Sequence, residues 1–386
     1  MANEHESGTY GADCAGSGVL DLAQTRRIFG TSLLSISLGW LSVTPAWSEQ
    51  KLSSQVAANA KVGDRVTPAK VIPVPTEDVS PELQALIKGP YSPSLIVNPK
   101  TPEEWREFGM QRAQPLIAAL PALKEKLGIT VEPSTIAGVK VFVTTPKVIP
   151  PANQSRLLVH LHAYGWLSMP GESAVTEAVL MAGFGGFKVI SVDYRTLPDD
   201  PYPAALDDSM AVWKNLVKTA KPQNMAIFGT STGGNLTLAM VLRAKDEKLP
   251  LPAAIAPNAP WADQDRIGDS YNTNEWVDNV LVSWDSWLGR AAKLYANGHS
   301  LKEPYISPIY GDFTNFPPTI LTSGTRDLFL SNVVRAHRKL KRTGVVAELN
   351  VYEGMSHAQF QDVRFTPESQ EVYTDIARFF DQYLGT

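Results

Sequence analysis

Residues 225–228 form a short apolar run that leads into Gly229-Thr230-Ser231-Thr232-Gly233-Gly234, and a helix-forming stretch follows at once from Asn235. A strand that becomes a helix within Gly-x-Ser-x-Gly leaves few choices of fold. The turn is sharp and strained, and it lifts one serine hydroxyl clear of a sheet. Gly229 and Gly233 matter there because a side chain at either would collide with neighbouring strand and helix backbone. The five-residue pattern also occurs by chance in many proteins, so its meaning depends on what stands before and after it.

Beyond residue 155, short apolar segments at 157–162, 188–192, 225–228, 253–256, 319–323 and 347–352 alternate with helical ones near 172–181, 203–219, 235–247, 331–343 and 367–384. That alternation predicts an α/β fold: a mainly parallel, doubly wound sheet with helices on both faces. Residues 138–143 alternate in the manner of a further strand. Thr101-Pro102-Glu103-Glu104 combines an N-cap, a first-turn proline and acids, so a helix should start there. Residues 257–304 interrupt the alternation and hold Trp261, Tyr271, Trp276, Trp284 and Trp287. Such rings can fill a local core or wall a substrate pocket.

The 386 residues suffice for one large domain or two smaller ones, with 44% hydrophobic and 19% charged residues. A formal net charge of −4 and the absence of long basic runs exclude nucleic acid and anionic membrane surfaces as natural partners. Residues 1–48 read as an export leader of twin-arginine type: Arg26-Arg27-Ile28-Phe29, a modest apolar run, then Pro45-Ala46-Trp47-Ser48. The run is too short to anchor the chain stably in a bilayer, and the expected location is periplasmic or secreted. Cys14, the sole cysteine, lies inside this leader, which rules out disulfide, thiolate-metal and cysteine-nucleophile chemistry in the remainder. Residues 49–125 are expected to form an arm with lid helices, one of them near 81–88, and residues 126–386 the main domain.

A serine hydroxyl needs a base, and the base needs an orienting acid. In hydrolases built on this turn the chain order is serine, acid, histidine. Of six histidines, His5 is in the leader, His160 and His162 precede the serine, His299 sits in a polar loop and His337 in a basic helix. His357 alone follows in a loop after a strand, where open α/β sheets place their sites. Asp327 stands just past residues 319–323 and is the favoured acid. Asp263, Asp265 and Glu353 are its competitors. Leu158-Val159-His160-Leu161-His162-Ala163-Tyr164-Gly165-Trp166 fits an oxyanion loop. His162 would brace it, while the N–H groups of Tyr164, Gly165 and Thr232 face the developing charge.

The chain from about residue 155 onward resembles the hormone-sensitive-lipase-like carboxylesterases, a bacterial branch of the α/β-hydrolases. His162-Ala163-Tyr164-Gly165-Trp166 stands where that family has His-Gly-Gly-Gly-Phe/Trp. Asp193-Tyr194-Arg195-Thr196-Leu197-Pro198, then Pro203-Ala204-Ala205-Leu206-Asp207-Asp208, follow its Asp-Tyr-Arg-Leu-Ala-Pro and Pro-Ala-Ala-x-Asp-Asp. Gly229 to Gly234 occupies the place of Gly-Asp-Ser-Ala-Gly-Gly. The resemblance implies Ser231 as nucleophile, Asp327 as acid and His357 as base, with Asp193 and Arg195 structural. It implies a cofactor-free enzyme for small-molecule esters, and a homodimer is the expected assembly. Tyr164, Trp166 and Trp261 are expected at the substrate. Thr230 and Thr232 depart from the family's Asp and Ala. With the leader, they resemble esterases that cleave alkyl esters of bulky aromatic acids, sulfonylurea herbicides among them. A serine peptidase or amidase, or a ligand-binding protein without catalysis, are the alternatives on the same fold.

Overall fold

Strand residues alternate between two apolar environments, and that alternation sets the layers. The computed structural model describes residues 71–385 except 168, 170 and 363–365. The expected leader and the first part of the arm lie outside the described residues.

Eight strands form one sheet: β1 (Ile129–Ile136), β2 (Val139–Pro146), β3 (Leu157–Leu161), β4 (Lys188–Val192), β5 (Met225–Thr230), β6 (Ala254–Asn258), β7 (Thr319–Gly324) and β8 (Ala347–Tyr352). Their order is β1-β2-β4-β3-β5-β6-β7-β8. β1 and β2 pair antiparallel, as do β2 and β4, and every later pairing is parallel. On the central strands Val159, Leu161, Ile227 and Ile255 enter one core, while Leu158, Ala226, Phe228, Ala254 and Ala256 enter the other. A period of two on strands buried on both faces produces this split.

Helices α1 (Pro81–Ile87), α2 (Pro102–Leu127), α3 (Thr176–Gly185), α4 (Ala204–Thr219), α5 (Thr232–Asp246), α6 (Ser270–Thr273), α7 (Leu288–Ala296), α8 (Leu330–Arg342) and α9 (Pro367–Tyr383) cover it. α4, α5 and α8 contribute to the first core and α3 and α9 to the second. α2 begins with a full capping box, in which Thr101 and Glu104 satisfy each other's backbone N–H groups. It runs 26 residues and stops at Gly128, which takes the left-handed conformation at φ 66°. Its first turns bury Trp105 and Phe108 in the first core.

The sequence reading places the strands and helices of the main domain within a few residues but misses β1. Most of β1 is solvent-exposed, so its side chains carry no alternating apolar signal. Residues 257–304 contain only the short α6 and α7 among long irregular stretches.

Candidate active site

Ser231 sits between β5 and α5 with φ 59° and ψ −114°, a conformation that non-glycine residues rarely adopt. The surrounding structure holds it there. Its N–H donates to the Asn258 carbonyl at 2.9 Å, and its carbonyl accepts from Trp261 N at 3.0 Å and Asn235 N at 2.9 Å. A Cβ at Gly229 or Gly233 would strike the Leu161 carbonyl, so β3 can lie this close to the turn only beside glycine. Backbone strain of this kind persists where it positions a functional group.

Asp327 and His357 emerge from the loops after β7 and β8 and meet. His357 Nδ1 is 2.9 Å from Asp327 Oδ1. The same oxygen accepts from Phe329 N at 2.7 Å, and Oδ2 accepts from the Ser323 hydroxyl at 3.0 Å. Asp327 is fully buried, and the edge of the Phe329 ring packs on the His357 imidazole. His357 Nε2 has no hydrogen-bond partner among the described residues, and His357 and Ser231 line the same cavity of about 540 Å³. With Nδ1–H held by the carboxylate, Nε2 is the nitrogen that can accept a proton. A serine–histidine bond left open without substrate is common, since catalytic hydrogen bonds often tighten only in the complex.

The competing acids are engaged elsewhere. Asp263 is buried against Arg335 at 2.7 Å and the Tyr310 hydroxyl at 3.0 Å. Asp265 accepts from Arg266 N, and Glu353 is exposed. Of the other described histidines, His160 bonds Glu177 and Ser191, His299 packs on Tyr202, and His337 is within 3.3 Å of the Ala347 carbonyl.

The loop after β3 is braced by His162. Its ring stacks on Tyr194 with centroids 4.0 Å apart, and Nδ1 lies 3.0 Å from the Ala163 carbonyl, so Nδ1 carries the proton. Tyr194 donates to the His162 carbonyl at 2.7 Å. Burial pushes the His162 imidazole down to about 3, so it is neutral near pH 7.

One expected oxyanion donor is already committed. Gly165 N donates to the Thr232 hydroxyl at 3.2 Å. Alanine, the family's usual residue at that place, has no such acceptor. Thr232 is the first residue of α5, so its N–H has no intrahelical partner. Among the described residues the Tyr164 N–H also has none. Thr232 follows Ser231 directly in the chain and Tyr164 lines the same cavity as Ser231, so these are the two N–H groups of the expected set without an acceptor.

Tyr164 and Trp261 line the cavity, as does Trp287. Trp166 does not. It is fully buried, stacked on Tyr295 at 3.8 Å and on Trp261 at 5.4 Å. It supports the wall from behind instead of touching the cavity, because residue 166 follows the loop's positive-φ turn and points back into the core. The 257–304 segment both fills its own core and forms wall: Trp261, Asn279, Val280, Leu281, Trp287 and Leu288 all face the cavity, opposite the arm residues Leu86 and Pro90. Among the described residues no cluster of side chains suits a metal ion, and no helix is long and apolar enough to cross a membrane.

Sequence reasoning misses Asp278, for which no motif signals a role. Fully buried, it ties together the loops that carry Asp327 and His357: Oδ2 accepts from Leu328 N at 2.8 Å and from His357 N at 3.3 Å, while Oδ1 accepts from Val280 N and Leu281 N. Burial, with the charge of Asp327 adding to it, pushes the Asp278 carboxyl up to about 6. A carboxyl raised in the folded state contributes stability in full below its unfolded pKa, near 4, and loses it as pH rises through about 6. On the order of 2–3 kcal/mol should be lost at this site across that window. Asp278→Asn lacks that loss, so the stability gap between wild type and variant narrows as pH rises from about 4 to 7. Urea unfolding across that range measures it, and a gap independent of pH would show that Asp278 does not titrate there.

Comparison with known proteins agrees with this geometry. A sequence profile of the alpha/beta hydrolase fold matches residues 158–361. An esterase of Acinetobacter venetianus is 27% identical over 256 residues, covering 65% of this chain and 82% of its own length. A putative acetyl-hydrolase of Mycobacterium tuberculosis is 28% identical over 275 residues, covering 70% and 87%. The crystal structure of esterase E25 superposes with a TM-score of 0.80 at 36% identity, covering 84% of this chain and all of that one. An esterase from the bacterial hormone-sensitive lipase family superposes at 0.66 with 25% identity, over 80% of this chain and 99% of that one. The chain belongs to the alpha/beta hydrolase fold family, within its hormone-sensitive-lipase-like esterase group.

Proposed function

We propose that this protein is a carboxylesterase that works through an acyl-enzyme intermediate on Ser231. The observation that carries the reading is one cavity wall shared by Ser231, in its strained turn, and by the His357 Nε2 edge, with Asp327 on the opposite nitrogen. In this reading Ser231 Oγ attacks the ester carbonyl while Nε2 takes its proton. Asp327 holds the imidazole in the required tautomer and stabilises its cation. The Tyr164 and Thr232 N–H groups donate to the oxyanion, each worth roughly 3 kcal/mol in the transition state. The alcohol leaves with the proton from Nε2, and water releases the acid by the same route.

The relatives named for acetyl and other ester hydrolysis support ester over amide substrates. A cavity walled by Trp261, Trp287, Tyr164 and Leu281 supports acids bulkier and more aromatic than acetate, in the manner of alkyl esters of sulfonylurea-type acids. The Arg26-Arg27 leader supports export as the enzyme's route.

A fluorophosphonate probe tests the core of the reading: it should label wild type on the peptide containing Ser231, and pretreatment should abolish hydrolysis of a 4-nitrophenyl ester. A panel varying acyl bulk and alcohol size separately tests the specificity. Preference for bulky aromatic acyl groups with small alcohols is expected, and preference for short aliphatic acyl chains would overturn that part.

A further inference from the structure

Arg112 is a charged group in the catalytic cavity with nothing of opposite charge bound to it. It lies on α2, one turn after Phe108 and on the same face. Its guanidinium carbon sits 4.6 Å from the centre of the Trp287 ring and 5.5 Å from that of Phe108. Among the described residues no carboxylate, carbonyl or hydroxyl accepts from it. Arg112 is half-buried, and three other arginines with limited exposure are held by acceptors. Arg156, which is buried, bonds Asp381, Asn153 and the Leu384 and Gly385 carbonyls. Arg335 pairs with Asp263, and Arg266 with Glu275 and Asp285. Burial pushes the Arg112 guanidinium down to about 10, which still leaves it a full cation near pH 7.

Its placement connects it to the chemistry. Arg112 lines the Ser231–His357 cavity and also an adjoining groove of about 310 Å³, and Tyr164 lines both. The Trp287 ring beneath it abuts Gly165 of the oxyanion loop so closely that a Cβ there would enter the ring. The other ionisable side chains on the cavity wall are His357, Asp362, Tyr164 and Tyr91, whose hydroxyl donates to the Trp276 carbonyl. Asp362 makes an interaction of its own, and burial raises the Tyr164 phenol, keeping it a neutral hydroxyl. A guanidinium has five N–H donors and no acceptor, so on this half-buried cavity wall its donors are open to the anionic oxygens of a ligand.

We propose that Arg112 is an anion-recognising residue of the active-site cavity, and that the preferred substrates are esters carrying a second, negatively charged group such as a carboxylate. The Tyr164 hydroxyl is its natural second donor. This deepens the carboxylesterase reading and rests on it. Contact with the Trp287 and Phe108 rings holds the guanidinium at the cavity wall, and its fork of N–H donors suits an anion bound through paired bonds.

Two pairs of esters test it, one with the charge on the acyl side and one with it on the alcohol side. Mono-4-nitrophenyl glutarate is compared with 4-nitrophenyl pentanoate, and 4-acetoxybenzoate with 4-methylphenyl acetate. Wild type should favour the anionic member of at least one pair in kcat/KM. Arg112→Met should lower that anionic-to-neutral ratio about 10- to 100-fold, mainly through KM, as for loss of a charge-assisted hydrogen bond. Arg112→Lys should retain part of the preference. The ratio within one preparation is insensitive to how much of a variant folds. An unchanged ratio in both pairs, or no anionic preference in wild type, overturns the proposal while neutral esters are still hydrolysed. If wild type hydrolyses none of the four and resists the fluorophosphonate, the carboxylesterase reading itself has failed.

Discussion

Ser231→Ala should lower kcat on 4-nitrophenyl esters by about a million-fold, the scale seen when the nucleophile of a serine triad is removed. KM should stay within a factor of about 3, because the cavity walls and the oxyanion donors are untouched. What remains is the hydrolysis that free N–H groups can support by themselves, roughly a thousand- to ten-thousand-fold over water. The stability of the variant should change little. The Ser231 hydroxyl has no hydrogen-bond partner among the described residues, and alanine meets the same backbone strain at φ 59° as serine. Activity and urea unfolding are therefore expected to separate cleanly: a very large kinetic loss with less than about 1 kcal/mol of stability change. A variant that folds normally and still hydrolyses the ester at the parent rate would move the reaction away from this turn.

That separation reflects how the site is built. The serine is presented by backbone geometry, whereas the histidine and acid are held by side-chain bonds. Gly229 and Gly233 allow β3 to crowd the turn, and α5 begins at the very next residue, so the hydroxyl needs no partner to be aimed. Asp327 has three donors, from His357, Phe329 and Ser323, and cannot rotate without leaving one of them unmet. Asp278 then joins the two loops through Leu328 N and His357 N.

Features that depend on neighbouring residues in the chain were legible beforehand. The turn around Ser231, the loop after β3, and the order of Ser231, Asp327 and His357 all have local signatures, because each sits just beyond an apolar strand. Features that depend on distant pairing were not. Asp278 reads as one acid in an aromatic-rich stretch, and only folding brings it to Asp327 across 49 positions of chain. Arg112 and Trp287 are further apart still, yet the guanidinium lies over the ring. Trp166 was misleading for a related reason: its position beside the oxyanion loop suggested the substrate, but the positive φ of Tyr164, Gly165 and Trp166 turns the ring inward to Tyr295. β1 was illegible because an exposed edge strand needs no apolar period.

The two threonines flanking Ser231 belong to the same category, and Thr230 leads to the second large effect. Thr230 is fully buried at the end of β5, and its hydroxyl donates to Glu177 Oε1 at 2.6 Å. The other oxygen of Glu177 lies 3.2 Å from His160 Nε2, and His160 Nδ1 is 3.1 Å from the Ser191 hydroxyl. Glu177 comes from α3, so this buried chain of bonds ties β5, β3 and β4 to a helix directly behind Ser231. Thr230→Asp, which restores the family's usual residue, removes the donor and sets a second carboxylate against Glu177 where neither can reach water. Like charges at that distance cannot both ionise, and one must take up a proton. The expected cost near pH 7 is about 3–5 kcal/mol, the scale for an uncompensated buried charge, enough to unfold a marginally stable domain. A shared proton raises the pKa of the pair in the folded state, so the variant's stability should improve as pH falls from about 8 to 5. Adding Glu177→Gln should recover at least half of the loss at pH 7, since the amide NH₂ can donate to the new carboxylate. Thr230→Ser, which keeps the donor, should cost less than about 1 kcal/mol. Urea unfolding of the four proteins checks the set. A Thr230→Asp variant as stable as Thr230→Ser, with no gain from acid or from Glu177→Gln, would mean that the Thr230–Glu177 bond is not what selects threonine beside Ser231.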